Sequence, residues 1–287
     1  MQMTEEVGMF LLLYLFCTLL FLFLFWILFL IRSAKCPADT DPSLFTHYAH
    51  RGLHGEDIPE NSLAAFRNAV SHGYGIELDL QLSADGEVMV FHDYTLDRMT
   101  GETGKLSDRT AEELRKLRLL RRDGTPSDET IPTLTEVLRT VDGRVPLLIE
   151  LKGESTDFSL CPAANRILQT YSGAYCVESF NPLLLRWYKR NRPDVFRGLL
   201  YTDLFRGIKK SFLNLLLSGM LLNMFARPHF ISYDIRFPKK LPVLLTTSLF
   251  KAPHFLWTIR SEEECVDGSP MIFENILPSS SRENLPG

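Results

Sequence analysis

Residues 50–93 read HRGLHGEDIPENSLAAFRNAVSHGYGIELDLQLSADGEVMVFHD, and the fold is decided near the middle, at Ile76-Glu77-Leu78-Asp79-Leu80-Gln81. Apolar and polar residues alternate strictly there, which predicts a strand with Ile76, Leu78 and Leu80 on one face and Glu77, Asp79 and Gln81 on the other. Upstream, Asn61–His72 has a helical pattern, capped by Asn61 or Ser62. Working outward, Phe45–His50 and Val88–His92 read as strands, the second after the turn Ala84-Asp85-Gly86. Downstream come a helix over Leu134–Val141 and strands over Val145–Leu151, Ala174–Phe180, Phe196–Leu200, Phe230–Asp234 and Phe255–Ile259. Strands alternating with helices imply a parallel sheet. Eight of them in about 250 residues predict an α/β fold closed into a (β/α)8 TIM barrel over residues 45–287. Residues 95–130 are charged and turn-rich, with no strong strand of their own, and read as a small cap inserted over the barrel mouth.

The N-terminus is of another kind. Met9–Ile31 carries no charge and is almost wholly Leu, Phe, Ile, Trp and Tyr. At about 1.5 Å per residue it crosses a hydrocarbon core of roughly 30 Å, and it exceeds the roughly 7–15 apolar residues of a signal peptide. Glu5 and Glu6 precede it instead of a basic leader, and it lacks the polar face of a soluble helix. Residues 1–34 are therefore expected to form a single-pass transmembrane anchor, with a Pro-containing linker at 35–44. Arg32 and Lys35 follow the span, which by the positive-inside rule favours a barrel on the cytoplasmic side. The net charge of −4 supplies no basic footprint for nucleic acid. The five cysteines have neither zinc spacing nor a CxxC pair. A second apolar stretch, 203–229, crowds Phe205, Phe212, Leu213, Leu216, Leu217 and Phe225 near Arg206, Lys209 and Lys210. It reads either as a helix lying on a membrane surface or as an ordinary barrel helix with a buried turn.

Residues two apart on a strand point to the same side, so Glu77 and Asp79 set two carboxylates next to each other. Buried like charges repel, and a divalent cation between them relieves the repulsion; hard oxygen ligands suit Mg2+ or Ca2+. Glu150 ends the apolar run Leu147-Leu148-Ile149 and can complete that shell, while Lys152, on the same face, either faces an anion or forms a surface pair with Glu150. His50 and His92 end strand candidates, where proton transfer in a barrel of this kind is carried out. Arg51 offers a fork of donors for phosphate oxygens. Together these groups fit displacement at phosphorus.

His-Arg-Gly at 50–52, Pro-Glu-Asn-Ser at 59–62, Glu-x-Asp at 77–79 and His-Asp at 92–93, in that order, resemble the glycerophosphodiester phosphodiesterases. Ile131-Pro132-Thr133-Leu134, Glu150-Leu151-Lys152, Glu178-Ser179-Phe180 and Trp257-Thr258 extend the likeness over about residues 46–276. The resemblance implies a membrane-anchored phosphoric diester hydrolase acting on glycerophosphodiesters. It implies Glu77, Asp79 and Glu150 as ligands of a divalent metal (Mg2+ or Ca2+), His50 and His92 as catalytic, and Arg51 and Lys152 as phosphate contacts. It favours His92 as the acid; the residues themselves leave the assignment open. Glu60 is expected to orient His50 or the metal shell, and Asn61 to support the shell or cap the helix. Where the family often has Trp-Thr-Val-Asn, this chain has Trp257-Thr258-Ile259-Arg260, which alters the pocket rim. The apolar segments also allow a lysophospholipid substrate, that is, a lysophospholipase D. Phosphatidylinositol-specific phospholipase C, sphingomyelinase D and a non-enzymatic membrane-bound binder of phosphorylated ligands are the alternatives.

Overall fold

Along most staves of the barrel, one residue fills the floor and the residue two places later is polar. The computed structural model describes residues 2–153, 156–203 and 211–278. Its strands are β1 (Tyr48–Ala49), β2 (Gly75–Leu82), β3 (Val88–Val90), β4 (Arg118–Leu120), β5 (Pro126–Thr130), β6 (Leu147–Leu151), β7 (Tyr175–Ser179), β8 (Arg197–Tyr201), β9 (Phe230–Asp234), β10 (His254–Ile259) and β11 (Met271–Phe273). Eight of these close a parallel barrel in the order β1-β11-β10-β9-β8-β7-β6-β2, with β2 pairing back to β1. Two expectations about the staves are corrected. Val88–Val90 is not a stave: it runs antiparallel to β2 as the second arm of a hairpin. The eighth stave is Met271–Phe273, only three residues long and too short to show alternation.

Tyr48, Leu148, Cys176, Phe230, Phe255 and Ile272 pack as the barrel floor. Two residues further on stand His50, Glu150, Glu178, Ser232, Trp257 and Glu274. The two-residue period of a strand thus converts a buried apolar layer into a polar layer above it, at the C-terminal mouth. The outward residues Ile76, Leu78, Leu80, Leu147 and Ile149 join the core under the surrounding helices.

The helices are α1 (Gln2–Phe25), α2 (Leu63–Ser71), α3 (Asp97–Thr100), α4 (Ala111–Leu114), α5 (Leu134–Val141), α6 (Leu160–Leu168), α7 (Pro182–Asn191), α8 (Phe212–Ser218), α9 (Asn223–Ala226) and α10 (Leu241–Leu244). Ser62, not Asn61, caps α2, accepting from Ala65 N–H at 3.1 Å. The segment 95–130 does contain strands: β4 and β5 pair antiparallel around their own small core of Leu106, Leu114, Leu119 and Ile131. The run Pro-Ser-Asp-Glu-Thr of β5 has loop-like composition, and the pairing with β4 overrides it.

One N-terminal helix, Val7–Ile31, is long and apolar enough to cross a membrane. Its last turns are not free. Ile27 and Ile31 are buried against Met220, Ala226 and Val243, and Trp26 Nε1 donates to Gly219 O at 3.0 Å. Asn223 Nδ2 donates to Ile31 O at 3.3 Å. Of the apolar segment 203–229, residues 204–210, with Phe205, Arg206, Lys209 and Lys210, lie outside the described residues. In α8, Phe212, Leu213 and Leu215 are exposed.

Phe230 lies so close to β8 that a Cβ on Gly198 would stand 2.1 Å from its ring. Gly198→Ala is expected to lower stability by about 1–3 kcal/mol through overpacking. A thermal melt reads this directly, and an unchanged midpoint would show that the floor yields at this point.

Candidate active site

The strand register builds the centre of the site. Asp79 on β2 pairs with Glu150 on β6, and Glu150 pairs with Glu178 on β7. Three carboxylates therefore stand in a row across neighbouring staves, with Glu77 one step below Asp79. Glu77, Asp79 and Glu150 are buried and can bring one oxygen each to within 4.8 Å of one another. Burial, and then the charges of Asp79 and Glu150, push the Glu77 carboxyl well above the usual carboxylate range. Burial works the same way on Asp79, but Lys152, His92 and Arg51 outweigh it and hold that carboxyl well below. Burial raises Glu178 to about 8, against the hydrogen bond it accepts from Ser232.

Lys152 does not face outward. Its Nζ lies 2.8 Å from Glu150 Oε1 and 2.9 Å from Asp79 Oδ1. Burial disfavours its charge, but the two carboxylates hold the ammonium above the ordinary lysine range. Asp79 Oδ1 has that ammonium as its one partner among the described residues, and Asn61 Oδ1 has no hydrogen-bond partner. Buried, mutually repelling, oxygen-only donors with free lone pairs suit a hard divalent cation.

Each histidine is backed by a carboxylate. His50 Nδ1 lies 2.6 Å from Glu274 Oε2, and Glu274 Oε1 accepts from Arg260 Nε at 2.6 Å. Burial lowers His50 to about 4, while Glu274, opposed by burial, is drawn down to about 2 by His50 and Arg260. Above pH 4 the pair is thus a neutral imidazole whose Nδ1–H donates to a carboxylate, which leaves Nε2 with a lone pair. His92 Nδ1 lies 2.6 Å from Asp93 Oδ1. Burial works against the Asp93 carboxylate, but His92 and Arg98 hold it well below the usual range.

The loop after β1 brings Arg51 and Asn61 to the row. Both have left-handed backbones, φ 56° and 52°. This conformation costs a non-glycine residue about 1 kcal/mol or more and persists where surrounding contacts impose it. Arg51 N–H donates to Glu77 at 2.8 Å, and Asn61 Nδ2 to Asp79 at 2.8 Å. Glu60 reaches the acidic cluster through Arg51, whose Nε lies 3.7 Å from Asp79 Oδ2. It clamps two arginines, accepting from Arg51 at 2.8 Å and from Arg98 at 2.7 Å.

All nine residues singled out in the sequence lie at or beside this mouth. Sequence reasoning missed Glu274, Asp93 and Arg98 as partners. Asp93 was legible as the neighbour of His92; Glu274 follows a stave too short to detect.

A model of the glycerophosphoryl diester phosphodiesterase family matches residues 50–196, half of the chain. The chain belongs to that family. It is 38% identical over 162 residues to a glycerophosphodiester phosphodiesterase of Caldanaerobacter subterraneus subsp. tengcongensis, covering 53% of this chain and 65% of the relative. It is 42% identical over 163 residues to human glycerophosphodiester phosphodiesterase 1, covering 53% and 48%. The chain thus spans about half to two thirds of these relatives. Among solved structures, the Thermotoga maritima glycerophosphodiester phosphodiesterase superposes with a TM-score of 0.59 at 27% identity, over 79% of this chain and 93% of that one. An Oleispira antarctica phosphodiesterase, solved with its product sn-glycerol-3-phosphate, gives 0.63 at 24% identity, over 80% and 92%, a likeness of fold.

Asn61→Ala removes the donor to buried Asp79 and leaves a methyl group in the left-handed region. A loss of about 1–3 kcal/mol is expected. A melt that matches the unsubstituted protein would contradict this account of Asn61.

Proposed function

We propose that this protein is a metal-dependent hydrolase of glycerophosphodiesters, releasing a glycerol phosphate and an alcohol. One observation carries the reading: Glu77, Asp79 and Glu150 converge at the mouth of the barrel, where Glu77 and Glu150 line a chamber of about 150 Å³ together with His50 and His92. A Mg2+ or Ca2+ held by these three acids supplies Lewis-acid stabilisation of charge on the phosphoryl oxygens. Arg51, fixed by Glu60, adds a guanidinium for the same oxygens.

The histidines divide the proton work. His50 is neutral, with Nδ1–H given to Glu274 and Nε2 free, which suits the base. His92, turned by Asp93, delivers the proton to the leaving oxygen. Lys152 holds Asp79 and Glu150 together until phosphate draws its ammonium toward the anion. In this reading residues 1–34 anchor the chain, 35–44 link it, and 45–287 form the catalytic barrel with 95–130 as its cap. The charge bias of Arg32 and Lys35 puts the barrel on the cytoplasmic side.

Lysophospholipids extend the substrate range. An apolar chamber of about 750 Å³ adjoins His92 and Glu150, walled by Phe180, Leu183, Leu213, Leu217 and Leu222. The residues that follow α8, Met220 and Asn223, are those that hold the end of the N-terminal helix. A single-chain lipid can therefore keep its tail in apolar contact while its phosphate reaches the acids.

The purified full chain in detergent tests this. Turnover of glycerophosphodiesters and lysophospholipids should require Mg2+ or Ca2+ and stop in chelator, and His50→Ala and His92→Ala should each lower kcat/KM by at least about 100-fold. Full activity in excess chelator would sink the metal-dependent mechanism.

A further inference from the structure

The end of the N-terminal helix meets the barrel at a cluster of cations. Where the chain leaves that helix, Arg227 Nη1 donates to Arg32 O at 2.9 Å. Arg197, the first residue of β8, donates from Nε to Ala226 O at 3.3 Å and from Nη2 to Arg227 O at 2.9 Å. Lys189 Nζ donates to Met224 O at 3.3 Å and to Phe225 O at 3.2 Å. Arg186 lies over the Phe225 ring, 5.4 Å from its centroid, and Arg190 follows Lys189 in the last turn of α7. The end of α9 gathers these groups because helix-end carbonyls carry partial negative charge.

Neutral oxygens and one aromatic ring are all that answer these charges. No carboxylate pairs with any of them among the described residues; Asp194, the one acid between Arg186 and Arg197, is taken by Arg192 at 2.7 Å. Arg197 is only 3% exposed, and its Nη1 is buried with no hydrogen-bond partner. Burial, relieved by no acid, pushes its guanidinium down to about 10. Burial, and then the charges of Arg227, Arg197, Arg186 and Arg190, lower Lys189. Burial and then Arg32 lower Arg227. Like charges gathered out of water destabilise one another, and an anion set against them offsets that cost.

The position of the cluster tells which anion it meets. Residues 7–25 of the apolar helix cover about 28 Å at about 1.5 Å per residue, close to the roughly 30 Å of a hydrocarbon core. Trp26, held by Gly219, then stands at the edge of that core, where tryptophans collect, and Arg32 lies about 9 Å further along the axis. Lipid headgroups lie at that depth, within a Debye length of about 8–10 Å. We propose that Arg32, Arg186, Lys189, Arg190, Arg197 and Arg227 form a docking surface for the headgroup phosphates of an anionic leaflet, which holds the α7–α9 side of the barrel against the bilayer. This rests on the reading of residues 1–34 as a membrane anchor. Leu183 of α7 and Leu213 and Leu217 of α8 wall the apolar chamber beside His92, so the docked elements are also those that shape that chamber.

The test uses the full chain in detergent, incubated with equal amounts of phosphatidylglycerol and phosphatidylcholine, with the retained lipid counted by native mass spectrometry. Phosphatidylglycerol should be retained over phosphatidylcholine by about tenfold or more, and by less as salt is raised. The double change Arg186→Gln with Arg190→Gln should lower that preference by about threefold or more. Its thermal midpoint should stay close to that of the unsubstituted protein, because neither side chain makes a hydrogen bond among the described residues. Arg190→Glu alone, at an exposed position, should act in the same direction. Equal retention of the two lipids, or a preference that both variants leave intact, would overturn the proposal. So would inorganic phosphate that raises the thermal midpoint of the full chain as far as phosphatidylglycerol does, since the cluster would then take a free anion and not a leaflet. A full chain that high salt washes from vesicles of either lipid would instead remove the anchor reading on which the proposal rests.

Discussion

The mutual repulsion of Glu77, Asp79 and Glu150 is the constraint around which the mouth of this barrel is arranged. Three carboxylates buried together destabilise one another, and burial adds to the cost of each charge. The surroundings answer with positive charge and donors: Lys152 between Asp79 and Glu150, Arg51 beside Asp79 and donating to Glu77, Asn61 donating to Asp79. These partners come from a loop held in left-handed conformations at Arg51 and Asn61, so local backbone strain is accepted in order to deliver them. Even so, the buried Asn61 Oδ1 keeps no hydrogen-bond partner among the described residues, an acceptor that suits the cation proposed for this site.

Much of this was legible in the sequence because the chemistry rides on the two-residue period of strands. Ile76–Gln81 showed which face was apolar, and from that the position of Glu77 and Asp79 followed. Glu150 was legible at the end of an apolar run. The closing stave was not, because Met271–Phe273 is too short to alternate, and Glu274 was lost with it. Val88–Val90 has the composition of a stave, yet its turn Ala84-Asp85-Gly86 is too short for a parallel crossover and makes it a hairpin arm. Lys152 was placed on the right face. What the sequence did not show was that the nearest charges to it are the acids themselves.

The floor and the mouth are two consequences of one pattern. Aromatic and aliphatic residues low in the staves fill the barrel so completely that Gly198 has no room for a side chain against Phe230. Each buried apolar side chain contributes about 1.5–3 kcal/mol, which sustains a polar layer above that would not be stable alone. Outside the barrel, the end of the apolar N-terminal helix packs on Gly219 and Met220, in the same segment that lends Leu217 and Leu222 to the apolar chamber beside His92.

The most direct measurement is a crystal structure of the protein with Mn2+, a divalent stand-in visible by anomalous scattering. The account predicts a single anomalous peak bounded by oxygens of Glu77, Asp79 and Glu150, with the Lys152 ammonium moved away from Asp79. Electron density that shows Lys152 still between Asp79 and Glu150, with the metal elsewhere or absent at saturating concentration, would contradict it.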